Sequence, residues 1–173
     1  MDNLKAIIEA LIFISDTPVA PAKIAGILED VKEKEIVSAI NDIMREYEEK
    51  DGGIFLKAVA GGYQFRTADA VGSWVQKFKG QKPVALSPAA METLAVIAYR
   101  QPVMRAEIEN VRGVDISGTL RGLLEKNLIR IVGRKDVPGK PMIYGTTRKF
   151  LETFGLKALS DLPTLREFRE LGE

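Results

Sequence analysis

Two stretches of this chain, TPVAPAKI (17–24) and QPVMRAEI (101–108), share Pro-Val and then an Ala two residues before Ile. A shift of 84 residues sets Pro18 over Pro102, Val19 over Val103, Ala22 over Ala106 and Ile24 over Ile108. The same shift pairs Ile36 with Leu120 and Ile40 with Leu124 in the next segment, and Phe13 with Ile97 in the one before. An offset kept across several elements is the mark of a duplicated unit. A chain of this kind folds one short plan twice. Its 173 residues, 46% of them hydrophobic, are enough to build two small cores.

Each unit reads as helix, turn, helix, turn, helix and two strands. In the first, an apolar helix over 4–14 ends before Pro18, and Pro21 opens a short second helix where its missing N–H is harmless. The third helix spans about 33–50, with Ile36, Ile40, Ile43 and Tyr47 at helical spacing, and Gly52-Gly53 stops it. Strands over 54–60 and 63–67 flank Gly61-Gly62, a two-residue hairpin signal. In the second unit Ser87-Pro88 caps and starts a helix with Met91, Leu94, Ile97 and Ala98 on one face, and Pro102 forbids its continuation. A middle helix over 106–110 closes at Gly113. Ser117 can cap a third helix, and Asn127, tolerant of positive φ, can end it before a hairpin opening at Ile129. A short helix around 70–78 carries the only Trp, and one or two helical turns follow Thr147.

This order, helix–turn–helix followed by a hairpin, predicts a mainly α fold with small β-hairpins (α+β), arranged as two tandem winged helix-turn-helix domains. The expected boundaries are 1–79 for the first domain, 80–86 for a linker, 87–156 for the second domain and 157–173 for a flexible, polar C-terminal tail.

The composition removes whole classes of function. With no Cys and no His there are no disulfides, no thiolate or imidazole metal sites and no Ser–His–Asp or Cys–His triad. The expectation is a protein without cofactor and without enzymatic activity. The N-terminal apolar run is interrupted by Glu9, is preceded by Asp2 against a single Lys5, and is too short to span a membrane. A cytoplasmic chain with no membrane contact is expected. The 25 basic and 24 acidic side chains leave a net charge of +1, which gives no electrostatic case for wrapping nucleic acid.

A DNA reader presents Arg, Lys, Asn or Gln from its third helix. In the first unit, residues 32–51 instead hold seven acids against four bases, which repels phosphate. The second unit is more basic, with twelve bases and six acids over 80–150. Its third helix, however, offers only Arg121 and Lys126, with Glu125 beside them. The cations Arg134, Lys135 and Lys140 sit in LIRIVGRKDVPGKPMIYGTT (128–147), between the two strands. Three phosphate contacts would give a salt slope of only about −3. Pro138-Gly139 suits the centre of a type II turn, Pro141 stiffens the entry to the second strand, and Asp136 can pair with a neighbouring cation. The residues fit a solvated hairpin tip and a partner-binding tip equally well. A winged-helix DNA-binding regulator using the second domain is the alternative function.

In the first helix nine of the eleven residues over 4–14 are apolar, more than the stripe that a three-helix core needs. Cover can come from the unit's own hairpin and linker, or from a second copy. Homodimerisation through Ile7, Leu11 and Ile14 is the favoured expectation.

The segments AYRQPVMRAEIENVRGV and GRKDVPGKPMIYGTT, together with LIFISDTPVAPAKIAGIL and a closing SDLP, closely resemble the segregation and condensation protein B family. This family supplies the accessory subunit of the bacterial SMC–kleisin complex, and the resemblance covers about 160 residues. It implies two winged-helix domains, a homodimer, and a non-enzymatic scaffold for chromosome condensation and segregation. The implied partner is the central segment of the kleisin subunit (segregation and condensation protein A) and, through it, the SMC ATPase. DNA contact would be indirect or weak, at the nucleoid. The expected kleisin contact lies on the second domain near Arg134, Lys135, Asp136, Pro138 and Tyr144.

Overall fold

Pro21 and Pro88 each occupy the first turn of a helix, and the chain is organised around such starts. The computed structural model describes residues 3–80 and 85–164. Contacts divide it into two units, one of Met1–Pro83 with Gly155–Glu173 and one of Val84–Phe154. Both units combine helices with small antiparallel hairpins.

The first unit holds α1 (Leu4–Phe13), α2 (Pro21–Ala25), α3 (Glu33–Glu49), β1 (Ile54–Val59), β2 (Gly62–Thr67), a 3-10 turn (Asp69–Val71) and α4 (Gly72–Lys79). Ile8 and Ile12 of α1, Ile24 of α2 and Ile36, Ile40 and Ile43 of α3 meet Leu56 of β1 in its core. Each such side chain contributes about 1.5–3 kcal/mol by leaving water. The polar residues of α1 reach α3. Lys5 donates to Glu46 at 2.7 Å, and Tyr47 donates to Glu9 at 2.5 Å. The two helices therefore run side by side in the same direction.

The second unit holds α5 (Pro88–Arg100), β3 (Val103–Met104), α6 (Arg105–Arg112), α7 (Ser117–Glu125), β4 (Ile129–Arg134), β5 (Met142–Thr146) and α8 (Arg148–Phe154). Leu94, Ile97, Ile108, Ile116, Leu123 and Phe150 are buried in it. Ser87 caps α5 by accepting the Ala90 N–H at 3.2 Å. Gly113 at φ 70° and Asn127 at φ 56° end α6 and α7 in the left-handed region, as their residue types suit.

The 84-residue offset recurs in the element starts, Leu4 and Pro88, Pro21 and Arg105, Glu33 and Ser117. It also recurs in burial, since Val19 and Val103, Ile24 and Ile108, and Ile36 and Leu120 are all core residues. It fails inside the first helix. Phe13 is 68% exposed whereas Ile97 is fully buried, and α5 runs 13 residues to α1's 10.

A third short strand goes beyond the two expected per unit. Val19 and Tyr63 exchange backbone hydrogen bonds at 2.9 Å in each direction, and at the matching place Val103 pairs with Tyr144, giving the sheet order β3-β5-β4. The β1–β2 turn falls at Ala60-Gly61, one residue before the expected Gly61-Gly62. Ala60 and Gly61 have φ of 49° and 72°, and Gly62 is reserved for another purpose. A Cβ there would lie 2.8 Å from the Val19 carbonyl, so the third strand depends on its absence.

The second unit ends earlier than the expected Leu156. Beyond Gly155 the chain returns to the first unit, where the N–H groups of Ala60 and Gly61 donate to the carbonyls of Leu156 and Lys157 at 2.8 and 3.0 Å. A 3-10 turn over Leu159–Asp161 follows, held by Asp161 accepting the Lys157 N–H at 2.8 Å. Residues 157–164 of the expected flexible tail are thus a strap on the β1–β2 turn. The rest of that tail, 165–173, and residues 81–84 of the expected linker lie outside the described residues.

Candidate partner-binding surfaces

The β4–β5 hairpin projects from the second unit with one buried anchor on β4, Ile129. From Arg130 to Lys140 every residue is exposed, so both faces of the hairpin meet water. A bulge between Ile131 and Gly133 twists β4 and turns Ile131 and Val132 outward, 45% and 42% exposed. The tip is shaped from within. Lys140 N–H donates to the Val137 carbonyl at 2.8 Å and Gly139 has φ 84°, as a type II turn at Pro138-Gly139 requires. Lys135 N–H reaches the Pro141 carbonyl at 2.9 Å, and the Arg134 guanidinium donates to the Lys140 carbonyl at 3.2 Å.

Arg134, Lys135, Asp136 and Pro138 therefore share one preset, solvent-facing loop. Asp136 takes part in none of the ion pairs among the described residues, so the expected local pairing is absent. Tyr144 is not with the loop. It is 7% exposed, pairs with Val103 and Ile131 across the sheet, and points its hydroxyl at the Met142 sulfur, 3.8 Å away. Its pairing with the buried Val103 sets it on the core side of the sheet. Its place is under the hairpin rather than on the exposed loop.

The body below the hairpin is tied by polar side chains. Gln101 accepts both the Thr146 N–H at 2.7 Å and the Thr146 hydroxyl at 3.0 Å, and donates to the Ala98 carbonyl at 3.1 Å. Gly145 leaves the space for that bond, since a Cβ there would sit 3.0 Å from the Gln101 oxygen. Arg105 joins Glu109 at 2.7 Å and Asp115 at 2.6 Å, linking α6 to the start of α7. The bond to Glu109 is the main cause that raises the Arg105 guanidinium pKa. Asp115 accepts the Ser117 N–H and hydroxyl at 3.1 and 2.9 Å, and these bonds hold its carboxyl below the usual carboxylate range.

The helices that would read DNA are poorly equipped to do so. On α7, Arg121 is held by Glu125 at 2.9 Å, and its neighbours on the helix include the exposed Gly118 and the half-buried Gly122, which offer no side chain. On α3, Glu33, Glu35, Glu48 and Glu49 face solvent.

The first unit offers a different kind of surface. Of the expected contact residues, Ile7 and Leu11 are half-buried against the unit's own core, and Ile14 is 73% exposed. Phe13 stands beside Ile14, edge-on to Phe65 at 6.2 Å between centroids. Further along, α4 buries none of its side chains, and its Trp74 and Phe78 are 67% and 93% exposed. These two aromatics are the surface residues that sequence reading missed. Their signal was present in the four-residue spacing of Trp74 and Phe78, with Lys77 and Lys79 beside them, on a helix with few other apolar residues.

A family model described as Segregation and condensation complex subunit ScpB matches residues 6–165. The chain belongs to this family. Among curated relatives it is 49% identical over 169 residues to Segregation and condensation protein B of Syntrophotalea carbinolica, covering 98% of this chain and 85% of that one. It is 42% identical over 170 residues to the Myxococcus xanthus protein of the same name, covering 98% of this chain and about half, 51%, of that longer one. A solved structure of ScpB from Mycobacterium tuberculosis is 36% identical, covers 90% of this chain and 96% of its own, and superposes with a TM-score of 0.43. Membership in the ScpB family makes the chain a non-catalytic complex subunit. Among the described residues, no helix is long and apolar enough to cross a membrane.

Proposed function

We propose that this chain is a dimeric scaffold that holds the kleisin subunit of the bacterial SMC complex during chromosome condensation and segregation. It would work in the cytoplasm, at the nucleoid. The observation that carries this reading is the family match, which runs through both units rather than through one. Each unit is a winged helix whose hairpin is the wing. The first unit makes the homodimer on the side of α1 that ends in Ile14, with Ile7 and Leu11 contributing only the edges they leave exposed. The second unit holds the kleisin segment on the wing formed by Arg134, Lys135, Asp136 and Pro138, and Tyr144 supports that wing from below.

The wing suits such a task physically. A loop already held in its turn loses little entropy on binding. Apolar Ile131, Val132 and Val137 beside the cations supply contact area, while the charges set orientation and on-rate.

Co-purification with a kleisin central fragment tests this reading. Arg134→Glu with Lys135→Glu is expected to weaken capture at least tenfold, with thermal stability unchanged because both side chains face water. Full capture by the double variant would remove the wing from the interface. Nanomolar, sequence-dependent DNA binding at physiological salt in a gel-shift titration would overturn the scaffold reading in favour of a DNA-binding regulator.

A further inference from the structure

The wing of the second unit is long and lightly anchored. It is exposed from Arg130 to Lys140, and the bonds that Arg134, Lys135 and Lys140 make close on the loop itself. Attachment to the helices lies at the base. There the Thr147 hydroxyl donates to the Asn127 carbonyl at 2.5 Å and accepts the Phe150 N–H at 3.2 Å, which ties the start of the wing to α8. Its neighbour Thr146 is tied to the end of α5 by one side chain, that of Gln101. The amide oxygen of Gln101 is filled by two Thr146 donors and its NH2 group by the Ala98 carbonyl, so a single orientation satisfies all three bonds.

Gly145 and Val132 complete this joint. A Cβ at Gly145 would meet the Gln101 oxygen and the Val132 Cγ1, each at 3.0 Å, so the two side chains close over the glycine together. Val132 is the residue that the bulge between Ile131 and Gly133 leaves without a partner on β5. The bulge thus sets a wing side chain beside the amide that holds Thr146, and a tilt of the wing about its base strains both contacts.

The duplicated plan supplies a comparison. At the place matching Gln101 the first unit has Thr17, whose hydrogen bonds are to Ser15 rather than to its hairpin. That hairpin turns in two residues, Ala60 and Gly61, and has no long tip to aim.

From this we infer that Gln101 is a positioning residue for the second unit's wing. It touches no partner, and it sets the bearing at which the loop of Arg134, Lys135, Asp136 and Pro138 is presented. A loop that swings must be re-aimed on binding, and that ordering cost lowers affinity. This inference rests on the wing reading proposed above.

The test uses the full chain. Because it has no Cys, Asp136→Cys and Ala95→Cys give two unique spin-label sites, on the exposed tip of the wing and the exposed side of α5. Labelled chain is diluted into unlabelled chain, and pulsed electron resonance reads the distance distribution within one copy. The distribution is expected to be narrow with Gln101 in place and clearly broader in Gln101→Ala. Without labels, Gln101→Ala is expected to bind a kleisin central fragment about tenfold more weakly. Gln101→Glu, whose carboxylate still accepts both Thr146 donors, should recover most of both losses. Ile97→Val is the control for stability: it thins the core under the same helix, and should lower the melting temperature while leaving width and affinity as in wild type. If Gln101→Ala does not fold, Thr146→Val, which removes the hydroxyl bond alone, takes its place with the same outcomes. A distribution that stays narrow sinks the inference. Equal losses of capture in Gln101→Ala and Ile97→Val sink it too, since the role would then be stability. So does a broad distribution with full capture, when Arg134→Glu with Lys135→Glu does weaken capture. Full capture by that double variant sinks the wing reading and takes this inference with it.

Discussion

Gly62 and Gly52 are both glycines near the first hairpin, and the structure gives them opposite tolerances. At Gly62 a methyl group would press on the backbone of Val19 and Pro18 at 2.8 to 3.0 Å, and backbone has nowhere to go. At Gly52 nothing lies within 4 Å. Gly62→Ala is expected to cost about 1–3 kcal/mol in urea denaturation, and Gly52→Ala to stay within about 0.5 kcal/mol. Asp115 gives a second prediction at this scale. Its carboxyl is held below its ordinary range chiefly by the Ser117 N–H and hydroxyl, which outweigh desolvation, and the Arg105 charge adds a lesser push the same way. A depressed carboxylate contributes stability above its unfolded pKa of about 4 and loses it as pH falls through the folded value. Asp115→Asn should therefore lower the denaturation midpoint at pH 7 and converge on wild type near pH 2. A gap that persists in acid would show that charge is not the cause.

At the level of elements, strong local chemistry was readable and weak periodicity was not. Pro21, Ser87-Pro88, Gly113 and Asn127 mark boundaries that the structure keeps, because each residue type suits the backbone it adopts there. The two-residue strand at Val103–Met104 and its counterpart at Val19 are too short to show alternation, so nothing in the sequence announces them. They also explain why the first turn is displaced by one residue. Pro138-Gly139 made the shape of the wing legible. The position of Tyr144 was not legible, since it is set by pairing with Val103 and burial along β5 does not alternate. Tyr144→Ala should cost about 3 kcal/mol as a core deletion, while Pro138→Ala should change the melting temperature little. Similar losses from both would place the loop in the folded core.

Across the whole molecule the offset of 84 residues foretold two units of one plan, and the contacts divide the chain accordingly. The sequence did not reveal where the second unit stops. Residues 155–164 carry no strong periodicity, and their attachment to Ala60 and Gly61 is made by backbone groups, which every sequence possesses. Candidate surfaces were legible in proportion to how local they are. A cationic turn can be seen in ten residues. The joint of Gln101 with Thr146, 45 residues apart, depends on tertiary packing.

The strap has a mechanical consequence. Since the chain enters the second unit from the first and comes back to it, tension applied between residues 3 and 164 pulls on two points of the first unit. The pair of backbone bonds at Ala60 and Gly61 lies on that load path. While those bonds hold, the second unit is a slack loop bearing no force. Once they part, it comes into line with the pull. The strap is a mechanical fuse placed ahead of the wing.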